Sequence, residues 1–256
     1  MPVTKSAGST LAAAVCAALL LAGCTDASTV SPAPPAPSVP EAPAKSPVGH
    51  TGPEAQKPAA RHIPGLGPEF RARIPGGTRQ ALVVSGGAAD TNVAEAAVYE
   101  SGTGGDWRRV AGPWPAHNAL RGWTHDHHAG DLRTPIGVFG LGDAGGLSPD
   151  PGTRLPYDQD EEFVAPGTGF LGEPLEGSFD YVVAIDYNRV PGTSPLDKER
   201  PLGLEKGSGL WIHVDHDGPT QGCVSLPRER MRELLRLLDP DKYPVVVMGP
   251  APELRK

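Results

Sequence analysis

Cys223 and His213 are the two residues of this 256-residue chain whose types and spacing could do covalent chemistry. The chain has 3 cysteines. Cys16 lies in an N-terminal apolar run and Cys24 ends it, so Cys223 is the only cysteine of the body and has no partner for an internal disulfide. A lone body cysteine with a histidine close by is a candidate nucleophile. The thiolate is the reactive form, and an imidazole can take its proton and hold a covalent acyl-enzyme in play. The plainer alternative is a small buried hydrophobe, the usual fate of free cysteine.

The residues around the pair must present both to one opening. Leu210 to Val214 reads as a strand with Leu210, Ile212 and Val214 on one face and Trp211 and His213 on the other. If the first face is core, His213 projects toward a cleft beside Trp211, which is a cleft wall or a core aromatic. Asp217, Gly218 and Pro219 form a turn signal. Gln221 to Val224 resumes a short strand. His213 would serve as base and then as proton donor to a leaving amine. The N–H groups of Gly222 and Cys223 could face a developing oxyanion. His216 is the rival base. Asp215 and Asp217 read as solvated turn residues.

Trp114 to Asp131 reads as a loop holding His117, His125, Asp126, His127 and His128. Histidine and aspartate are common zinc ligands, yet His125, His127 and His128 lack the i, i+4 spacing that places two ligands on one helix face. A solvated loop is the first expectation, the rim of the cleft the second and a metal site the third.

The rest is scaffold. Gln80 to Ser85, Val93 to Glu100, Trp107 to Val110, Thr134 to Leu141, Phe179 to Tyr187 and Tyr243 to Met248 read as short strands with glycine and proline stops. Phe179 to Tyr187 is apolar enough for a central strand. Asp143 to Leu175 and Asn188 to Gly209 read as loops, where binding surfaces usually lie. Met231, Leu234, Leu235 and Leu238 fall at i, i+3, i+4 and i+7, which predicts an amphipathic helix from about Pro227 to Asp239 and Pro240. The expected fold is mainly β, a sandwich or barrel with one helix after the cysteine, over residues 70–256.

Ahead of it, Lys5 and the apolar run Leu11 to Ala22 have the form of a signal peptide, residues 1–23. Residues 24–69 are crowded with proline, alanine and serine, and read as a disordered tether. The net charge of -7 argues against a nucleic-acid partner, which would attract basic patches.

At Cys223 the chain resembles a known family. His213 followed by Thr220-Gln221-Gly222-Cys223-Val224-Ser225 is similar to the signature of YkuD-type (ErfK/YbiS) L,D-transpeptidases. Thr134 to Phe139 is similar to that family's Thr-Pro-x-Gly-x-Phe segment. The likeness runs from about Gln80 to Gly249. Leu21-Ala22-Gly23-Cys24 resembles the lipobox of bacterial lipoproteins, with Cys24 the lipidated residue. The chain departs from the pattern in a short gap (223 − 213 = 10), in Gln221 where many members carry a second histidine, in Ser225 for Asn or Arg, and in Val214 for Gly.

The resemblance implies an exported, lipid-anchored enzyme facing the cell wall. It would attack peptidoglycan stem peptides through Cys223, release D-Ala and form 3→3 cross-links. Thr220, Gln221, Gly222 and Trp211 would line the substrate site. No metal or organic cofactor is implied, and carbapenem-type β-lactams would acylate Cys223. Three alternatives stay open: an L,D-carboxypeptidase with the same site, a non-catalytic wall-binding lipoprotein, and a zinc amidase using the histidine cluster.

Overall fold

The computed structural model describes residues 60–256, so the expected signal peptide, the lipidation site Cys24 and most of the tether lie outside the described residues. The folded body starts earlier than residue 70. Ala60 bridges to Trp107, and Ile63 and Leu66 are buried beside Phe70 in the main core. Three apolar side chains spaced along an otherwise proline-rich stretch were enough to dock it.

The elements in chain order are α1 (Pro68–Arg73), β1 (Gln80–Gly86), β2 (Val93–Ser101), β3 (Trp107–His117), β4 (Trp123–Thr124), β5 (Thr134–Pro135), β6 (Gly137–Gly140), β7 (Ala144–Gly146), β8 (Tyr157–Gln159), β9 (Val182–Ala184), β10 (Trp211–Val214), β11 (Val224–Leu226), α2 (Arg228–Leu237), β12 (Val245–Pro250) and α3 (Ala251–Leu254). Ten strands form one mixed sheet in the order β6-β12-β1-β2-β3-β11-β10-β9-β7-β8, while β4 and β5 pair separately. The mainly β expectation is met. The sheet is one hydrogen-bonded series, in place of the two stacked sheets of a sandwich. Its ends bend toward each other: beyond β9, the Asp186 N–H donates to the Gly140 carbonyl of β6 at 3.0 Å.

Two short helices, α1 and α3, join the expected one. Helix α2 buries Met231, Leu234 and Leu235, the stripe its spacing predicts, and Leu238 caps it. Strand β3 runs on to His117, so the first residues of the expected loop at Trp114 belong to the sheet. The run Phe179 to Tyr187 contributes only Val182–Ala184 to the ladder. Ile185 N still donates to Leu210 O at 2.9 Å, so the chain stays extended past the strand's end.

What positions the site is the pairing of β10 with β11. They are parallel, with Ile212 opposite Val224 and His213 opposite Ser225. Parallel neighbours usually need a crossover of a dozen or more residues, yet only residues 215–223 intervene here. Asp217 in a left-handed conformation, followed by Gly218 and Pro219, tightens that connection. Ile212 and Val224 are both fully buried. Trp211, His213 and Ser225 therefore share the opposite face. The register carries Cys223 to the level of Trp211, just ahead of β11 where a strand was expected to have begun.

Candidate active site

A cleft of about 600 Å³ opens along this edge of the body. Cys223, His213, His216, Gln221, Gly222 and Thr220 all line it. Trp211 does not. Its ring packs edge-on against Phe179, which is a cleft wall, at 4.9 Å, and against Phe163 at 5.6 Å. The expectation of a wall role for Trp211 gives way to packing. Its backbone stays in the site: the Trp211 N–H donates to Cys223 Sγ at 3.4 Å.

The nucleophile turn is tied from three sides. Thr220 Oγ1 donates to the Cys223 carbonyl at 2.6 Å, and Thr134 Oγ1 reaches the same carbonyl at 3.4 Å. Thr134 Oγ1 in turn accepts from Ala119 N at 2.9 Å. The Thr134 segment thus braces the cysteine from behind. Gly222 N–H donates to Thr220 Oγ1 at 3.3 Å, which takes it out of the expected oxyanion role. Of the two N–H groups expected to face an oxyanion, that of Cys223 remains. A Cβ on Gly222 would meet Leu210 Cδ2 at 2.8 Å, so a larger residue there would displace the Leu210 side chain.

His213 is 3% exposed. Its Nδ1 lies 2.9 Å from the Val214 carbonyl. A carbonyl only accepts, so Nδ1 carries the proton and Nε2 is left with a free lone pair. The ring stacks on His216 and meets Phe179 edge-on at 5.3 Å. Burial drives its pKa down from 6.5 to about 4, with the Val214 hydrogen bond pulling weakly the other way.

Cys223 Sγ donates to Gly209 O at 3.7 Å. Burial raises its pKa to about 11, opposed by the Trp211 N–H. The thiol is half-buried against solvent all the same, since it forms part of the cleft surface. Burial thus favours the neutral thiol and the neutral imidazole at rest, and Sγ is bonded to backbone and not to His213. For Cys223 to act as a nucleophile its thiol would have to ionise as substrate arrives, and His213 Nε2 is a group with a lone pair free to take that proton.

The structure singles out two more residues here, one that sequence reasoning passed over and one that it left within a cluster of histidines. Glu173 comes from the long loop after Phe163 and meets His216 Nδ1 at 3.2 Å. Its other oxygen accepts from Leu171 N at 2.7 Å. A Cβ on Gly169 or Gly218 would stand 2.0 or 1.9 Å from Glu173 Oε1, so the carboxylate fills the space between two glycines. Burial works to raise its pKa, but the backbone N–H groups and His216 outweigh it and hold the carboxyl below its usual range. Nothing marked Glu173 in a loop rich in acids.

His127 is the other. Of the three clustered histidines, His125 pairs with Glu253 and His128 with Asp126, both exposed. His127 alone turns inward, 5% exposed, and lines the cleft. The second expectation for this stretch, the rim of the cleft, holds for His127, and the solvated loop holds for its neighbours. Among the described residues no three histidine, cysteine or acidic groups converge on a point that could take a metal ion.

Beside β11, on the face of His213, His117 Nδ1 and Ser225 Oγ both reach Asp215 Oδ1, at 2.9 and 2.6 Å. Asp215, expected to be a solvated turn residue, is a half-buried acceptor that locks β3 to the turn. Its bond to His117 raises the His117 pKa.

Comparison with family models, with curated proteins and with solved structures finds no match to this chain. The geometry of the cleft and the sequence resemblance carry the functional reading.

Proposed function

We propose that the protein is a cysteine acyltransferase acting on peptidoglycan stem peptides, an L,D-transpeptidase. The observation that carries this reading is the pairing of β10 with β11. It brings Cys223 and His213 to one cleft, with His213 Nε2 free to take the thiol proton. Attack of Sγ on a stem carbonyl would form a thioester, and the Cys223 N–H would meet the developing oxyanion. His213 would return the proton to the departing D-Ala amine, and an amine of a second stem would take the acyl group. The exported and lipid-anchored state expected from residues 1–24 fits a substrate fixed outside the membrane.

The experiment is product analysis on defined tetrapeptide stems with the purified body. Cross-linked dimers support the reading. Tripeptides alone would assign the L,D-carboxypeptidase, and binding to sacculi without any turnover would assign the wall-binding alternative.

A further inference from the structure

We propose that His127 is a second base of this cleft, one that deprotonates the incoming ammonium of the acceptor while His213 serves the sulfur. The inference rests on the acyl-transfer reading and adds that the natural acceptor is an amine.

Three groups lie in order along one stretch of chain. A Cβ on Gly207 would stand 3.2 Å from His127 Nε2. Cys223 Sγ lies against Gly209 O and Trp211 N. His213 follows two residues later. The sulfur and both imidazoles line the same cleft. A second approach agrees: a Cβ on Gly222, the residue before the nucleophile, would lie 3.5 Å from His127 Cε1.

His127 is built for the task. Its Nδ1 stands 3.1 Å from Asp131 Oδ1, within ion-pair reach though too bent for a good hydrogen bond. That carboxylate favours a proton on Nδ1 and leaves Nε2 bare. Tyr187 packs edge-on against the ring at 5.3 Å, and its hydroxyl donates to the His127 carbonyl at 3.2 Å. Phe139 supports Tyr187 in turn at 5.7 Å. Burial keeps the ring neutral at rest, against Asp131 and the Arg133 carbonyl, with the neighbouring His128 also disfavouring charge.

Proton balance calls for such a group. When an acceptor that arrives as an ammonium is acylated by the thioester, a C–N bond forms and the C–S bond breaks. The nitrogen gives up two protons. One returns to sulfur through His213; the other must leave before attack, because an ammonium has no lone pair. Water as acceptor has a lone pair and passes a single proton during attack, so a hydrolase has no use for the second base.

The test follows the acyl-enzyme of the full chain by intact mass and measures how it partitions between acceptors. In His127→Gln, transfer to an alkyl ammonium should fall about 100-fold more than acylation of Cys223 does, the scale of a lost general base. Hydroxylamine, already neutral at pH 7, should restore transfer. Asp131→Asn should show the same pattern more weakly, and it decides the matter if His127→Gln does not fold. Equal losses with both acceptors, or no loss, would overturn the proposal while leaving the acyl-transfer reading in place. A wild-type protein that forms no acyl-enzyme would overturn both.

Discussion

The imidazoles of His213 and His216 lie parallel, 9° between their planes, with ring centroids 5.8 Å apart. Both Nδ1 atoms are engaged, His213 on a backbone carbonyl and His216 on the Glu173 carboxylate. Only His213 belongs to the strand that pairs with β11, the strand entered directly after Cys223, so under the proposed function His213 is the base and His216 its support.

That assignment predicts unequal losses. His213→Gln should slow acylation of Cys223 by about 100- to 10,000-fold, the range for a general base. His216→Gln should cost less. Single-turnover acylation rates measure both, and a larger loss in His216→Gln would reverse the roles.

Cys223→Ala should leave the melting temperature close to wild type and remove all turnover. Intact-mass spectrometry should show one carbapenem adduct on wild type and none on the variant. Residual transfer by Cys223→Ala would rule the sulfur out as nucleophile.

The two resting pKa values predict how stability changes with pH. His213 titrates lower in the fold, about 4, than in the unfolded chain, near 6.5. Its burial therefore weakens the fold as pH falls from 6.5 toward 4, where the unfolded chain binds the proton first. Cys223 titrates higher in the fold, about 11 against 9.0. Its share of stability is present below pH 9 and is lost as pH rises toward 11. Denaturant titrations should show both limbs, and Cys223→Ala should flatten only the alkaline one.

The Glu173 contact predicts a mechanical effect. Gly218→Ala would drive a methyl into Glu173 Oε1 and push the loop of residues 163–175 off the turn that follows β10. Limited proteolysis in that loop should quicken, and KM for the stem should rise. Unchanged proteolysis and KM would show that the loop is held by other contacts.

Leu235→Ala in α2 should cost about 2–5 kcal/mol, since the side chain is fully buried in the core. Chemical denaturation measures this. The cleft is formed by other elements, so activity below the new melting point should persist.

Much of this was legible in the chain. The period of α2, the alternation across Leu210 to Val214 and the β-branched runs of β1 and β12 are local signals, and each became the expected element. Strand β3 extends past the expected Trp107 to Val110 and includes Pro113 and Pro115, residues that disfavour a ladder. The structure carries the strand through them, with register shifts in its pairing to β2 around Val98. Helices α1 and α3 are too short to show a period. Cys223 and His213 were visible because their types are rare and their spacing is short. Glu173 carries no local signal, and the sequence does not separate His127 from His125 and His128; in the fold Glu173 lies against Gly218 and His127 against Gly207, both from distant segments.

A sulfur that keeps its proton at rest has one more consequence. Peroxide and other oxidants attack the thiolate, so a thiol with a raised pKa is consumed slowly. The body offers no second cysteine to trap a sulfenic acid as a repairable disulfide. A proton held on Cys223 until substrate is seated would thus protect a sulfur that has no partner cysteine in the body.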